Sequence, residues 1–393
     1  MAKTTGLKDL LTVTEEVTLG LTPSTGPLAA EGVRLVNGTT RRFYQSSDTF
    51  ENPELLDTYD VTELLQDKAK AGEFEFTVMV KPSGTAGTAP QSGLLNCFKS
   101  VFGRSVNNPG VDHRFKLLRA IDTRPSESIF FKTDDGLVQQ NAGALFTKMV
   151  MNVKARGADS IAQATFSGKF MRQRWAGKTI TAAGSTTTAV NLATGTGKFY
   201  EAGGQITIGA LTPNPTIITS VAGDVLTVPT LSGAPGTSVA VGGYMPTITD
   251  SGFRVAGWRG VPTVSAVPFP IMSATVTLES FPEIIEDEKD GTNFPASFKD
   301  GTQKRNATIE ITHHMDSTVI GGQGQQTDFY AQFQVAILLI IGDQAGKIIT
   351  ISAPKCELME KPTIDSSSNV LMTRKYRCLA SASFDDAIEM IFT

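Results

Sequence analysis

The chain has 393 residues, of which 40% are hydrophobic and 19% charged, with a formal net charge of -4. That composition excludes a disordered chain and supplies enough apolar material for a large core. A negative balance also lacks the positive footprint that gripping nucleic-acid phosphates requires.

The cysteines Cys97, Cys356 and Cys378 lie far apart with no CxxC spacing. They read as small buried hydrophobes in a protein made in a reducing compartment, not as a disulfide framework. The start, "MAKTTGLKDLLTVTEEVT", has no apolar h-region or small-residue cleavage site, so no secretory signal is expected.

Residues 1–50 read as an extended N-terminal arm with short strands, punctuated by turn signals at Pro23, Gly26, Pro27 and Asn37-Gly38. A short helix is expected over residues 61–70, with Gly72 as its stop. In "FEFTVMVKPSG", Phe74, Phe76, Val78 and Val80 alternate onto one face of a strand. A second helix is expected from Ser92 to Val101. Leu94, Leu95, Phe98, Val101 and Phe102 form its stripe, Ser92 can cap it, and Gly103 can end it.

Strands follow in "HRFKLLRAI" and "SIFFKT". A long β-hairpin is expected over residues 144–171, turning at Gly157-Ala158-Asp159. From 177 to 246 the charged residues are only Lys178, Lys198, Glu201 and Asp224, among Thr, Gly, Ala and Val. Short runs such as "QITIG" and "DVLTVPTL" predict a small inserted all-β domain, Ig-like or similar. The flanking segments, 51–176 and 247–393, then form one larger β domain.

Residues 281–305 read as a long charged loop of the kind that carries interactions. The run Val335–Ile341, "VAILLII", is too short to span a membrane, and its β-branched content predicts a central strand buried on both faces. Further strands are expected near 347–353, 372–383 and 387–392.

The sequence carries no recognisable catalytic constellation, and the chain reads as a non-enzyme without cofactor or metal. "ATGTGKF" ends in Gly197-Lys198, but the phosphate-loop pattern fails at Leu192 and Phe199. His313 and His314 are neighbours, so on a strand they point to opposite faces and cannot chelate one metal; both read as partly exposed. The acidic run "EIIEDEKD" lacks the ligand spacing of a calcium loop. Arg172, Arg174 and Lys178 around Trp175 form only a miniature basic patch, and no G-x-S-x-G is present.

The succession "GEFEFTVMVKPSG", "GLLNCFKSVFG", "ALFTKMVMNVKARGADSIAQATFSGKFM" and "QVAILLIIGDQAGKIITISAPKCELMEKPTIDSSSNVLMTRKYRCLAS" resembles the major tail tube proteins of long, non-contractile-tailed bacteriophages. The likeness covers residues 72–175 and 270–393. It implies an antiparallel β-sandwich or barrel with a flanking helix, closing into hexameric rings that stack into a virion tail tube. The implied partners are further copies of the chain, a tape-measure protein in the lumen, and tail terminator and tail-tip proteins. DNA would pass through without specific binding, and no membrane is involved. Synthesis would be in the host cytoplasm.

On this reading the hairpin supplies lumen strands, with Thr147, Gln163, Thr165 and Ser167 facing the channel. Contacts between rings would come from Arg34, Arg41 and Arg42 of the arm and from Glu286, Asp287 and Lys289 of the charged loop. The alternative is a carbohydrate-binding or adhesin-like virion module, suggested by the Thr/Gly-rich insertion. The insertion's lack of aromatic clusters counts against it.

Overall fold

The computed structural model describes residues 10–36, 39, 41–51, 64–119, 123–133, 136–155, 160–249, 251–255, 257, 262–268, 270–289, 294–300, 305–314, 334–361, 363–365, 371–381 and 386–393. The protein is mainly β, with large antiparallel sheets and, among the described residues, one α-helix.

A broad sheet is the centre of the body. Its strands run in the order Arg42–Tyr44, Gly72–Met79, Gln163–Phe170, the second half of Val138–Lys154, Ser273–Glu279, Asn306–His314 and Leu371–Cys378. Every pairing is antiparallel, and each strand alternates a core residue with an outward one. Phe74, Phe76 and Val78 are buried on a single face, as the alternation in "FEFTVMV" predicts, and Val80 is buried just beyond the strand's end.

The long strand Val138–Lys154 changes partners halfway. Its first half pairs with Glu127–Lys132 and Arg172–Ala176, its second half with Gln163–Phe170 and Ser273–Glu279. A bulge between Phe146 and Lys148 falls at the changeover, where an extra residue bends the strand. The expected hairpin is present, and its turn residues lie outside the described residues.

A further set of strands continues the barrel. Ile349–Leu358 pairs with Val335–Ile341 and with Glu389–Phe392, which pairs in turn with Asp112–Leu117. The helix Ser92–Phe102 closes the interior. Phe98 touches Phe166 of the broad sheet at 5.4 Å and Phe115 and Phe392 of the continuing strands at 5.3 and 5.9 Å. One hydrophobic cluster therefore spans both layers. Gly103 ends the helix at φ 101°, a left-handed conformation that disfavours any residue with a Cβ. Ser92 is the first helical residue instead of the cap. Gln91 takes the cap position and uses its side chain to accept from the Ser251 N–H at 3.0 Å and donate to the Gly32 carbonyl at 2.8 Å.

Three expectations need correction. Residues 64–69 form a strand, Leu64–Ala69, paired with Ser47–Glu51; a partner strand overrides local helix preference. Residues 281–305 are not a structureless loop. Pro282–Lys289 pairs with Pro295–Asp300 as a hairpin that extends the Ser273–Glu279 and Asn306–His314 pair. Ile284 explains why it folds back, since it is buried against Leu145 and Met171. Finally, Val335–Ile341 is not buried on both faces. Ile337, Leu339 and Ile341 are in the core, whereas Leu338 and Ile340 are half-buried on the other side. The core covers only one side of this layer.

Residues 178–243 build sheets of their own. One has the order Lys178–Ile180, Ala240–Gly243, Gln205–Ile208, Thr216–Ile217; the other joins Ala189–Asn191, Val225–Thr227 and Ser220–Ala222. They enclose a separate cluster that includes Val190, Ile206, Leu226 and Val241. The module is fixed to the body. The Gln140 side chain donates to the Gln205 carbonyl at 2.9 Å and accepts from its N–H at 3.0 Å, behaving like one more strand. A Cβ on Gly243 would stand 2.5 Å from the Val138 side chain, so the two surfaces meet closely there.

Candidate functional site: the polar face of the broad sheet

The strand alternation that fills the core leaves the other face of the broad sheet polar. A row crosses it from Thr77 through Thr165, Val150 and Thr277 to Thr308, each opposite the next in register. The Thr77 and Thr165 hydroxyls are hydrogen-bonded at 2.9 Å, and a second threonine pair, Thr312 and Thr373, at 3.0 Å. The Thr275 hydroxyl donates to the Asn152 side chain at 2.9 Å. Such cross-strand pairs each contribute about 0.2–1 kcal/mol.

The charges on this face are matched. Arg42 stands opposite Glu75, Lys169 opposite Glu73, Lys148 opposite Glu279, Lys375 opposite Glu310, and Arg377 opposite Glu357. Lys148 and Glu279 form an ion pair at 2.7 Å, and that hydrogen bond holds the Glu279 carboxyl below the usual range. Lys154, at the end of its strand, lies opposite Ser273. The result is a threonine-bearing surface on which five cations stand opposite a carboxylate in register.

Three of the four lumen candidates sit on this face. Gln163, Thr165 and Ser167 alternate outward from Ala164, Phe166 and Gly168. Thr147 occupies the bulge, and its hydroxyl donates to the Ser167 carbonyl at 3.3 Å. The sequence reading missed the neighbours that complete this face: Thr277, the charge pairs, and Thr77 and Thr308, which are buried beneath them. The signal was present in "SATVTLE" and "NATIEITHH", whose polar residues recur at every second position.

The candidates for contact between rings divide into separate places. Arg42 is exposed, 4.0 Å from a Glu73 carboxylate oxygen, and lies over the Tyr44 ring. Glu286 accepts the Ala71 N–H at 2.9 Å, which fastens the charged hairpin beside the start of Gly72–Met79. Arg42 and Glu286 thus share one end of the sheet. Arg34 is exposed near the other end, where Leu35 bridges Val78. Arg41 is half-buried next to Arg42. Asp287 and Lys289 belong to the strand Pro282–Lys289, and their side chains lie outside the described residues.

The other motifs resolve into structure. The Gly195 and Gly197 N–H groups both donate to the Asp224 carboxylate at 2.8 Å, so this glycine loop holds a side chain of its own module. Those bonds lower the Asp224 pKa. His313 is fully buried and His314 exposed, which corrects the expectation of two partly exposed rings and agrees with their opposite faces. The His313 Nδ1 lies 2.8 Å from the His314 carbonyl, and burial lowers its pKa. Arg174 is buried beneath Gly203, and Arg172 lies over the Phe294 ring at 4.6 Å, so the small basic patch is not a single surface. Among the described residues, no group of His, Cys, Asp or Glu could hold a metal ion, and no helix is long and apolar enough to cross a membrane.

No family model and no curated protein matches this sequence.

Proposed function

We propose that the chain is a structural subunit of a bacteriophage tail tube, closing into hexameric rings whose broad sheets line a conduit for DNA. The observation that carries this reading is the polar face itself. A conduit needs a wall that is stable when hydrated yet does not hold phosphates. Binding of DNA is driven by cations that displace condensed counterions, so a surface whose cations are locally paired gives weak retention. The threonine row and the five opposed charge pairs have that character. The charged hairpin at the sheet's end, with the exposed Arg42 of the arm on the same end, is suited to contacts between stacked rings. A tape-measure protein would occupy the conduit before ejection, with terminator and tip proteins at the ends.

Electron microscopy of the purified full chain tests the assembly, with rings or hollow tubes in six-fold end view as the expected result. A cysteine placed at Thr165 tests the wall. In assembled tubes a small maleimide should label it and a bulky polymer maleimide should not, whereas both should label the dissociated subunit. A persistent monomer at high concentration, or bulky labelling unchanged by assembly, would overturn the proposal.

A further inference from the structure

Cys356 and Cys378 form a pair that the proposed function does not use. They face each other in the antiparallel ladder between Ile349–Leu358 and Leu371–Cys378, with their sulfurs 3.8 Å apart. The ladder's hydrogen bonds fix the type of site. The Leu379 N–H donates to the Lys355 carbonyl at 2.8 Å, and the Met359 N–H to the Lys375 carbonyl at 2.9 Å. Those residue pairs are the hydrogen-bonded ones, so by alternation Cys356 and Cys378 occupy a non-hydrogen-bonded pair. In such pairs the Cα atoms are about 4.5 Å apart, within the window of about 4.4–6.8 Å that a disulfide tolerates. Both side chains point into the core, and Cys97 is on the helix and not part of this ladder.

We propose that Cys356 and Cys378 are a redox modification site, a dithiol that a small-molecule disulfide such as oxidised glutathione converts into an internal disulfide. The Cys378 thiolate attacks one sulfur of the oxidant and releases one thiolate, leaving a mixed disulfide. The Cys356 thiolate then attacks the Cys378 sulfur, forming the internal bond and releasing the second thiolate. The protons from both cysteines end on the two released thiols, so the protein is oxidised by two electrons and the oxidant reduced by two. Cys378 is the entry point because it is 6% exposed and Cys356 is 0%. Its thiol is held well above the ordinary range by the hydrogen bond with Cys356 and by burial, which makes the reaction slow in the folded protein.

The position gives the bond a mechanical role. Ile349–Leu358 pairs with Glu389–Phe392 through its first half and with Leu371–Cys378 through its second. A disulfide here would staple the strand that joins the broad sheet to the continuing layer. A protein folded in reducing surroundings would gain the staple after release into oxidising ones.

The test uses the full chain purified under reductant. One sample is incubated folded with oxidised glutathione, and a second is unfolded and refolded in a glutathione redox buffer, so that burial cannot block the reaction in both. Denatured thiol titration should fall from three cysteines to one. Intact mass should drop by about 2 Da, and a peptide linking residues 356 and 378 should appear. Closing a loop of 22-residue separation should raise the melting temperature by about 4 °C. Cys378→Ser should abolish the mass loss and the rise. Three thiols remaining in both samples, a bond that uses Cys97 or a second chain, or glutathione retained on Cys378 without closure would each overturn the proposal.

Discussion

Replacing Glu127 with glutamine tests where the folded protein holds a proton. Glu127 is fully buried and stands opposite Glu15 in the ladder between Leu10–Glu15 and Glu127–Lys132. Its Oε1 accepts the Ser100 hydroxyl at 3.1 Å, and its Oε2 is buried with no hydrogen-bond partner. Burial, and then the charge of Glu15, push the carboxyl well above its ordinary 4.5. The unfolded chain releases this proton near 4.5 while the folded chain keeps it. The group's contribution to stability is therefore complete below that value and is lost as pH rises toward the raised folded pKa. Within that window the loss is about 1.4 kcal/mol per pH unit. Glu127→Gln keeps the shape and the acceptor for Ser100 and removes the titration. Denaturant melts at increasing pH above 4.5 should show the wild type losing stability relative to the variant, the two curves diverging as pH rises. Parallel pH profiles would refute the reasoning. Glu16 is a contrasting case, since burial raises its carboxyl too but both of its oxygens are hydrogen-bonded. Its carboxylate accepts from Gly20, Ser126, Ser128 and Gly143 at 2.6–2.9 Å, so an amide would turn hydrogens toward two of the four donors. Glu16→Gln should cost about 2–4 kcal/mol.

Gln140→Leu leaves the Gln205 N–H unpaired at a buried seam while its carbonyl keeps the Tyr244 N–H, an expected loss of about 1–3 kcal/mol, with faster amide exchange across Gln205–Ile208. Asp224→Ala removes the acceptor of two glycine amides and should raise exchange at Gly195 and Gly197 without altering the body's melting transition. Leu339→Ala should cost about 3 kcal/mol by opening a cavity, whereas Ile340→Thr on the half-buried side should cost less than about 1 kcal/mol. Calorimetric melts of the two variants would separate an alternating strand from one buried on both faces.

Alternation was the readable part of this chain. In "FEFTVMV" and "LMTRKYRC" a residue's face follows from its parity, so the core and the outward threonines could both be located before any partner strand was known. The helix was legible for a similar reason, since Leu94, Phe98 and Val101 recur at helical spacing and Gly103 permits the turn that ends it. Pairing was not legible. Residues 64–69 carry a helical local signal, and only the distant Ser47–Glu51 makes them a strand. Two charged strands separated by a turn looked like a loop because their apolar anchor, Ile284, is a single residue among charged neighbours in "PEIIEDEK" and its partners Leu145 and Met171 are far away in sequence. "VAILLII" offers no polar residue to mark its outward face, so one-sided burial could not be read from it. The charge matching of the broad sheet depends wholly on register. Glu310 and Lys375 are far apart in sequence and become opposite only when the ladder forms.

That dependence on register has a consequence for the proposed conduit. A slip of one residue between two strands would turn a threonine face inward and a phenylalanine face outward, so core packing enforces the register. The same register then fixes which lysine meets which glutamate. Phe74, Phe76 and Phe166 on the inner side therefore determine that Lys169 stands by Glu73 on the outer side. A wall that answers its own charges follows from a core that admits a single alignment. Point substitutions such as Thr165→Lys add a cation without moving the strands. In an assembled tube, a ring of such lysines should make DNA retention appear and make it fall steeply with added salt, because each phosphate contact releases a counterion. Retention that ignored salt, or none at all, would place this face away from the path of DNA.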